Sequence, residues 1–154
     1  MTWRVRPMVD TDIDNVYAIE TSVHIAPWSK NILRDCVLVG YNCLVLEINV
    51  DNQWVLGGYI ICRHKDECCH ILNFCIAKLR QSQGYGRKFL QQLLDVLTQN
   101  EEIKYIILEV RPSNKVALHL YETLGFELAE IKQEYYKDNN QTEDAILLKK
   151  ILRY

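Results

Sequence analysis

Three groups of residues in this chain are able to do chemistry. Gly84 and Gly86 flank one tyrosine in QSQGYGRK, residues Gln81 to Lys88, between an apolar run and an amphipathic one. Glu109 sits within YIILEV, which otherwise reads as buried strand; a carboxylate there is costly unless it is paired, hydrated or functional. Tyr121 lies two helical turns beyond Asn114, with Ala117 and Leu118 on nearly the same face. The glycines suit a strand-to-helix turn, whose free N–H groups and partial positive charge accommodate an anion such as phosphate. Arg87 and Lys88 add cationic charge at that end. Gly-x-Gly alone fits a plain tight turn equally well. No Gly-Lys-Ser/Thr triplet marks a P-loop, and Phe89 stands where a dinucleotide fingerprint needs a third glycine. Taken singly, Glu109 reads as a strand-end ion pair with Arg111, and Tyr121 as a core aromatic. With the glycine turn beside them, the two read as the lining of a functional groove.

The elements that must position these groups follow from periodicity. WRVRP alternates like a strand, and Asp10 or Thr11 is expected to cap a helix running to about Glu20. Ser29 is placed to cap a second helix from Lys30 to about Val37. CLVLEI, WVLGGYIICR and HILNFCIA read as successive strands, the last two joined by a hairpin closed near Lys65 to Glu67. After the glycine turn, Phe89, Leu90, Leu93, Leu94 and Leu97 form one helical stripe, with Arg87, Lys88, Gln91, Gln92 and Asp95 mostly off it. YIILEV returns as a strand, Asn114 to Leu124 as a helix stopped by Gly125, and FELAEIKQEYY and DAILLKKIL as strands. Strand, glycine turn, helix, strand makes a βαβ unit with one parallel pair, and antiparallel neighbours make the whole mixed α/β.

The 154 residues fit one domain, residues 1–154, and 49% hydrophobic with 25% charged is ordinary for a globular chain. Lys plus Arg is 18 and Asp plus Glu is 20, a net charge of −2, which argues against capture of nucleic acid by bulk charge. No run reaches the length of a membrane span, and MTWRVRPMVD lacks the apolar middle of a secretion signal. The expectation is a cytoplasmic protein whose six cysteines stay reduced, with no membrane or nucleic-acid partner. Cys62, His64, Cys68 and His70 invite a metal reading across the hairpin, but the corners of a flat ribbon converge poorly on a tetrahedral ion, so no metal is expected. Cys75 has an apolar strand around it and no adjacent histidine, which argues against an acyl-cysteine route. His119 falls off the Asn114–Tyr121 stripe, and Trp28 reads first as a packing anchor.

Gln81-Ser82-Gln83-Gly84-Tyr85-Gly86 matches the Gln/Arg-x-x-Gly-x-Gly/Ala signature, and over essentially its whole length the chain resembles the GNAT acetyltransferases. Pro27-Trp28-Ser29, Leu108-Glu109-Val110-Arg111, Leu120-Tyr121-Glu122, Tyr135-Tyr136 and Glu143-Asp144-Ala145 are similar to the branch that acetylates a ribosomal protein at its N-terminal alanine. The resemblance implies a mostly antiparallel sheet with one parallel pair, flanked by about four helices, and acetyl-CoA as co-substrate. It implies that the amides of Ser82, Gln83, Gly84, Tyr85, Gly86 and Arg87 hold the CoA pyrophosphate. Backbone groups at Ile76, Ala77 and Lys78 pair with the pantetheine arm, an N–H near Ile76 meets the oxyanion, and Asn114 touches the cofactor. Glu109 is the implied general base, acting through water, and Tyr121 the general acid that protonates the departing thiolate. The partner implied is the alanine-starting N-terminus of a small-subunit ribosomal protein. Two departures stand out: Lys78-Leu79-Arg80 replaces the usual acidic or small residue with a proline, and Lys137 stands where a proline follows the tyrosine pair. A small-amine acetyltransferase, or an acyl-CoA-binding module without catalysis, are the alternatives; the joint presence of Glu109 and Tyr121 speaks against the second.

Overall fold

A computed structural model describes residues 2–138 and 140–154. Among these residues the order is β1 (Trp3–Pro7), α1 (Ile13–Val23), α2 (Lys30–Leu38), β2 (Asn42–Val50), β3 (Gln53–Lys65), β4 (Cys68–Ile76), α3 (Tyr85–Gln99), β5 (Tyr105–Val110), α4 (Lys115–Thr123), β6 (Glu127–Asp138) and β7 (Gln141–Ile151). The strands make one sheet in the order β1-β2-β3-β4-β5-β7-β6. β4 and β5 are parallel, whereas β1–β2, β2–β3, β5–β7 and β7–β6 pair antiparallel. This is the mixed sheet with one parallel pair and four helices that the periodicities and the resemblance imply. No helix among the described residues is long and apolar enough to cross a membrane.

The chain divides into two compact units, Met1–Arg63 with Leu72–Leu90, and His64–Ile71 with Gln91–Tyr154. In the first unit, Ile13, Val16 and Ile19 of α1 and Leu33 and Cys36 of α2 bury against Val45, Tyr59, Ile61 and Cys75. Ser29 caps α2 as expected, its hydroxyl accepting from the Ile32 N–H at 3.2 Å. α1 begins differently from the expectation. Neither Asp10 nor Thr11 caps it; a 3-10 turn, Asp10–Asp12, comes first, and Asp12 accepts from the Val9 N–H at 2.8 Å. Both Asp12 oxygens also take Arg6, each at 2.8 Å, and this bidentate pair decides which acid sits at the helix entrance. Gly58 lets β3 approach β4 closely, since a Cβ there would lie 2.5 Å from the Cys75 carbonyl oxygen.

One carboxylate lies in the middle of that apolar unit. Glu20 is 1% exposed. It accepts from the Tyr59 hydroxyl, from Asn73 Nδ2 at 2.8 Å and from the Trp28 N–H at 2.9 Å. A buried acid is tolerable only with such donors, and here they tie α1 to β3, to β4 and to the segment entering α2.

In the second unit, Ile106, Leu108 and Val110 of β5 are buried, and the alternate residues, Glu109 among them, lie on the opposite face. The parallel register runs from Cys68↔Tyr105 to Ile71↔Leu108. Past it, β4 continues to Ile76 with no further β5 partner among the described residues. The hairpin between β3 and β4 is tighter than expected: β3 runs through Lys65, leaving Asp66, at φ 55°, and Glu67 in the turn. α4 is capped by Asn114, whose Oδ1 accepts from the Ala117 N–H at 3.2 Å, and it stops at Gly125 with φ 93°. β6 carries register shifts at Leu128/Glu130 and at Lys132/Tyr136, the second around Glu134 at φ 48°.

Glu20→Ala should cost about 3 kcal/mol of stability, because three donors lose their acceptor in a dry core. Urea unfolding with an unchanged m value checks this; a loss under about 1 kcal/mol would show that the donors find water instead.

Candidate active site

The glycine turn is built in the first unit. After β4, residues Lys78–Arg80 form a 3-10 turn, which Gln81 and Gln83 latch by donating their side-chain amides to the carbonyls of Ile76, at 2.9 Å, and Leu79, at 3.0 Å. Ser82 then takes φ 64° and Gly84 φ 86°. Nothing lies within 4 Å of a Cβ added at Gly84, so the left-handed backbone, not crowding, calls for glycine there. Gly86 corrects the expectation of a second special backbone: it lies in ordinary helix, in the first turn of α3. A helical bond in that turn runs from the Lys88 N–H to the Gly84 carbonyl, at 3.2 Å. Gln81, Ser82, Gln83, Arg87 and Lys88 are exposed, and Phe89, Leu90, Leu93, Leu94 and Leu97 are buried, as the helical stripe implies. A helix N-terminus of this form, with positive side chains at its rim, fits a pyrophosphate.

Three of the backbone groups expected to meet the pantetheine arm already have partners. The Ala77 N–H donates to the Gly57 carbonyl at 2.9 Å, and the Ile76 carbonyl accepts from the Gln81 side-chain amide at 2.9 Å and from the Cys75 thiol at 3.8 Å. Lys78 offers its carbonyl to the Gln81 N–H at 3.3 Å. Burial pushes the Cys75 thiol up to about 12, which leaves it protonated and a poor nucleophile.

The carboxylate is built in the second unit. Glu109 is the first residue of β5 past its pairing with β4, and its side chain is 12% exposed. His70 Nε2 lies 2.7 Å from Glu109 Oε2, and Lys132 Nζ donates to Oε1 at 3.0 Å. Burial alone would raise the carboxyl, but hydrogen bonds and charge from His70 and Lys132 outweigh it and hold Glu109 down at about 2. The Lys132 ammonium also lies 5.3 Å from the centre of the Tyr135 ring. Arg111 is not the partner of Glu109. It donates to Asp138 and, at 3.3 Å, to Glu143, and lies 4.0 Å over the Tyr136 ring. Glu143 in turn accepts from the Ser113 N–H at 2.8 Å and the Ser113 hydroxyl at 3.0 Å, which fixes the approach to Asn114. Asn114 is exposed and spends its Oδ1 on the α4 cap. Tyr121 is buried in the same unit, its ring edge-on to Phe126 at 5.7 Å.

A family model, described as Acetyltransferase (GNAT) family, matches residues 11–126. The chain belongs to the GNAT acetyltransferase family. It is therefore an acetyltransferase. It is 29% identical to the [Ribosomal protein bS18]-alanine N-acetyltransferase of Haemophilus ducreyi over 94% of this chain and 97% of that protein. With the protein of the same name from Escherichia coli K12 it shares 31% identity over 90% of each. The crystal structure of the ribosomal-protein-S18-alanine N-acetyltransferase from Escherichia coli superposes with a TM-score of 0.88 at 29% identity, covering 99% of this chain and 95% of that one.

Within this GNAT chain, sequence reasoning singled out Glu109 but missed both of its partners. His70 was grouped with Cys62, His64 and Cys68, yet Cys62 is fully buried, His64 is exposed, and His70 is bonded to Glu109. The missing signal was register. Only with His70 opposite Ile107 in the parallel pair, and Glu109 opposite Leu147 in the antiparallel one, do His70 and Lys132 converge on the carboxylate.

A carboxyl with a lowered folded pKa stabilises fully above its unfolded value of about 4.5 and loses that contribution as pH falls toward 2. The stability gap between the wild-type chain and Glu109→Gln, measured by urea unfolding, should therefore narrow from pH 6 to pH 3. A gap that stays constant would show that the carboxyl titrates in its ordinary range.

Proposed function

We infer that this chain acetylates the α-amino group of an N-terminal alanine on a small-subunit ribosomal protein. What carries the reading is likeness over nine-tenths of the chain to enzymes bearing that name, at 31% identity in the Escherichia coli case. Acetyl-CoA supplies the acetyl group as a thioester. Its pyrophosphate fits the amides of residues 82–87 at the head of α3, and its pantetheine arm fits the end of β4 that β5 leaves unpaired and the two residues after it, Ile76 to Lys78. Asn114, exposed at the head of α4, is the further contact assigned to the cofactor.

An α-ammonium, of ordinary pKa about 7.7–8.0, must lose a proton before its nitrogen attacks the thioester. Glu109 is the carboxylate of the base. Transfer is direct, in a ternary complex, since the amine and the departing thiolate share one carbon. The Tyr121 hydroxyl gives the thiolate its proton. The acceptor is an intracellular peptide end, which assigns the reaction to the cytoplasm. The tyrosine pair of β6, exposed Tyr135 and half-buried Tyr136, with ring centres 5.0 Å apart, borders the carboxylate through Lys132 and suits a peptide approaching along that strand.

The test uses acetyl-CoA and two peptides, one starting with a free alanine and one N-terminally blocked but carrying lysines, with product read by mass. Acetyl gain on the free-alanine peptide alone is expected. Gain only on lysines, or on neither peptide, would overturn the α-amine reading. Glu109→Gln and Tyr121→Phe should each lower kcat by about 10²-fold or more with CoA affinity unchanged, since acid–base groups typically contribute that much. A near wild-type rate in either variant removes that residue from its role.

A further inference from the structure

The carboxylate assigned as base has no free oxygen. Glu109 Oε1 accepts from Lys132 Nζ at 3.0 Å, and Oε2 lies 2.7 Å from His70 Nε2. With its carboxyl held at about 2, Glu109 is a poor resting place for a proton leaving an α-ammonium, roughly 6 pH units away. An imidazole matches that donor far better, because an ordinary one titrates near 6.5. His70 is placed to supply it. Its side chain is 17% exposed, against 12% for Glu109, and Nδ1 has no hydrogen-bond partner among the described residues.

We propose that His70 and Glu109 act as one base, Glu109 holding the imidazole through Nε2–H while His70 Nδ1 takes the proton from the acceptor's α-ammonium. The inference rests on the acetyl-transfer reading above and assigns the proton within it. The carboxylate fixes the tautomer with the hydrogen on Nε2 and the lone pair on Nδ1, and it stabilises the imidazolium once formed. Lys132 holds the other oxygen and so orients Glu109 toward His70. The balance is complete. His70 Nδ1 receives one ammonium proton, the freed amine forms the C–N bond, and the C–S bond breaks. Tyr121 passes its hydroxyl proton to the sulfur and regains one from the nitrogen of the new amide. His70 then releases its proton to solvent. Overall, thioester and ammonium become amide, thiol and one proton.

Other ionisable groups surround the pair. β6 contributes Lys132, Tyr135, Tyr136 and Glu130, β7 contributes Glu143 and also Lys149, which stands opposite Ile107 and lies 4.3 Å over the Tyr105 ring, and Arg111 follows β5. Arg63, His64 and Lys65 stand at the end of β3, and Cys68 and Tyr105 face each other, two residues before His70 on β4 and four before Glu109 on β5. Arg111 and Glu143 are already paired with each other, and burial pushes the Tyr136 hydroxyl up to about 12. That leaves His70 as the imidazole bonded to Glu109.

The experiment compares wild type, His70→Gln and His70→Ala on the free-alanine peptide, with kcat and KM measured from pH 5.5 to 9. Glutamine keeps an N–H donor for Glu109 but has no basic nitrogen. The expected result is an acidic limb in the wild-type kcat, absent in His70→Gln. The glutamine variant should lose about 10²-fold in kcat with KM for both substrates within about twofold. Added imidazole should restore His70→Ala in proportion to its neutral form, which a misfolded variant cannot show. A His70→Gln enzyme with the wild-type pH profile and kcat within about threefold would overturn the proposal and return the proton to Glu109. Failure of wild type to acetylate the peptide at any pH would instead remove the reading beneath it.

Discussion

The parallel pairing of β4 with β5 lasts four residue pairs, Cys68–Ile71 against Tyr105–Leu108, and then ends. The positions on either side of that ending differ in what they leave open. The remaining residues of β4, Leu72 to Ile76, keep an edge that β5 does not satisfy, and strand edges of this kind accept an extended partner. On β5, the residue just beyond the last pair is Glu109. A carboxylate is sustainable within an otherwise apolar strand because it stands where the ladder stops and two donors reach it.

Glu20 and Glu109 show two ways to keep an acid inside a protein. Glu20 is met by a phenol, an amide and a backbone N–H, with the His24 imidazole 3.5 Å away, and serves as a structural tie between α1, β3 and β4. Glu109 is met by an imidazole and an ammonium, which hold it ionised and couple its charge to groups that exchange protons.

The two departures from the family pattern fall in a 3-10 turn and on β6. Lys78-Leu79-Arg80 forms a short 3-10 turn, with Leu79 83% exposed, in place of the usual proline-bearing segment. Two glutamine side chains latch the loop through backbone carbonyls, so the amides that open α3 keep their direction whatever side chains precede them. Lys137 lies on the exposed strand pair β6–β7, opposite Thr142, beyond the register shift that carries Tyr135 and Tyr136.

Much of this protein was legible in its residues alone. The helical stripe from Phe89 to Leu97, the Ser29 and Asn114 caps, the Gly125 stop and the single βαβ unit are local patterns, and local backbone physics dictates them. The glycine turn was equally legible, because a free helix N-terminus is written in neighbouring residues, although only Gly84 proved to need a left-handed backbone. The oddity of Glu109, a charge in an apolar strand, was visible too. Its partners were not: His70 lies 39 residues away and Lys132 lies 23 away, and both reach it only through strand register. The entrance to α1 was decided the same way, by Arg6 taking Asp12 from across a turn. Sequence determines which segments become strands and helices, since that depends on each residue and its near neighbours. Which charges meet depends on how strands slide past one another, and a shift of one residue turns a side chain to the opposite face, so only the folded sheet decides it.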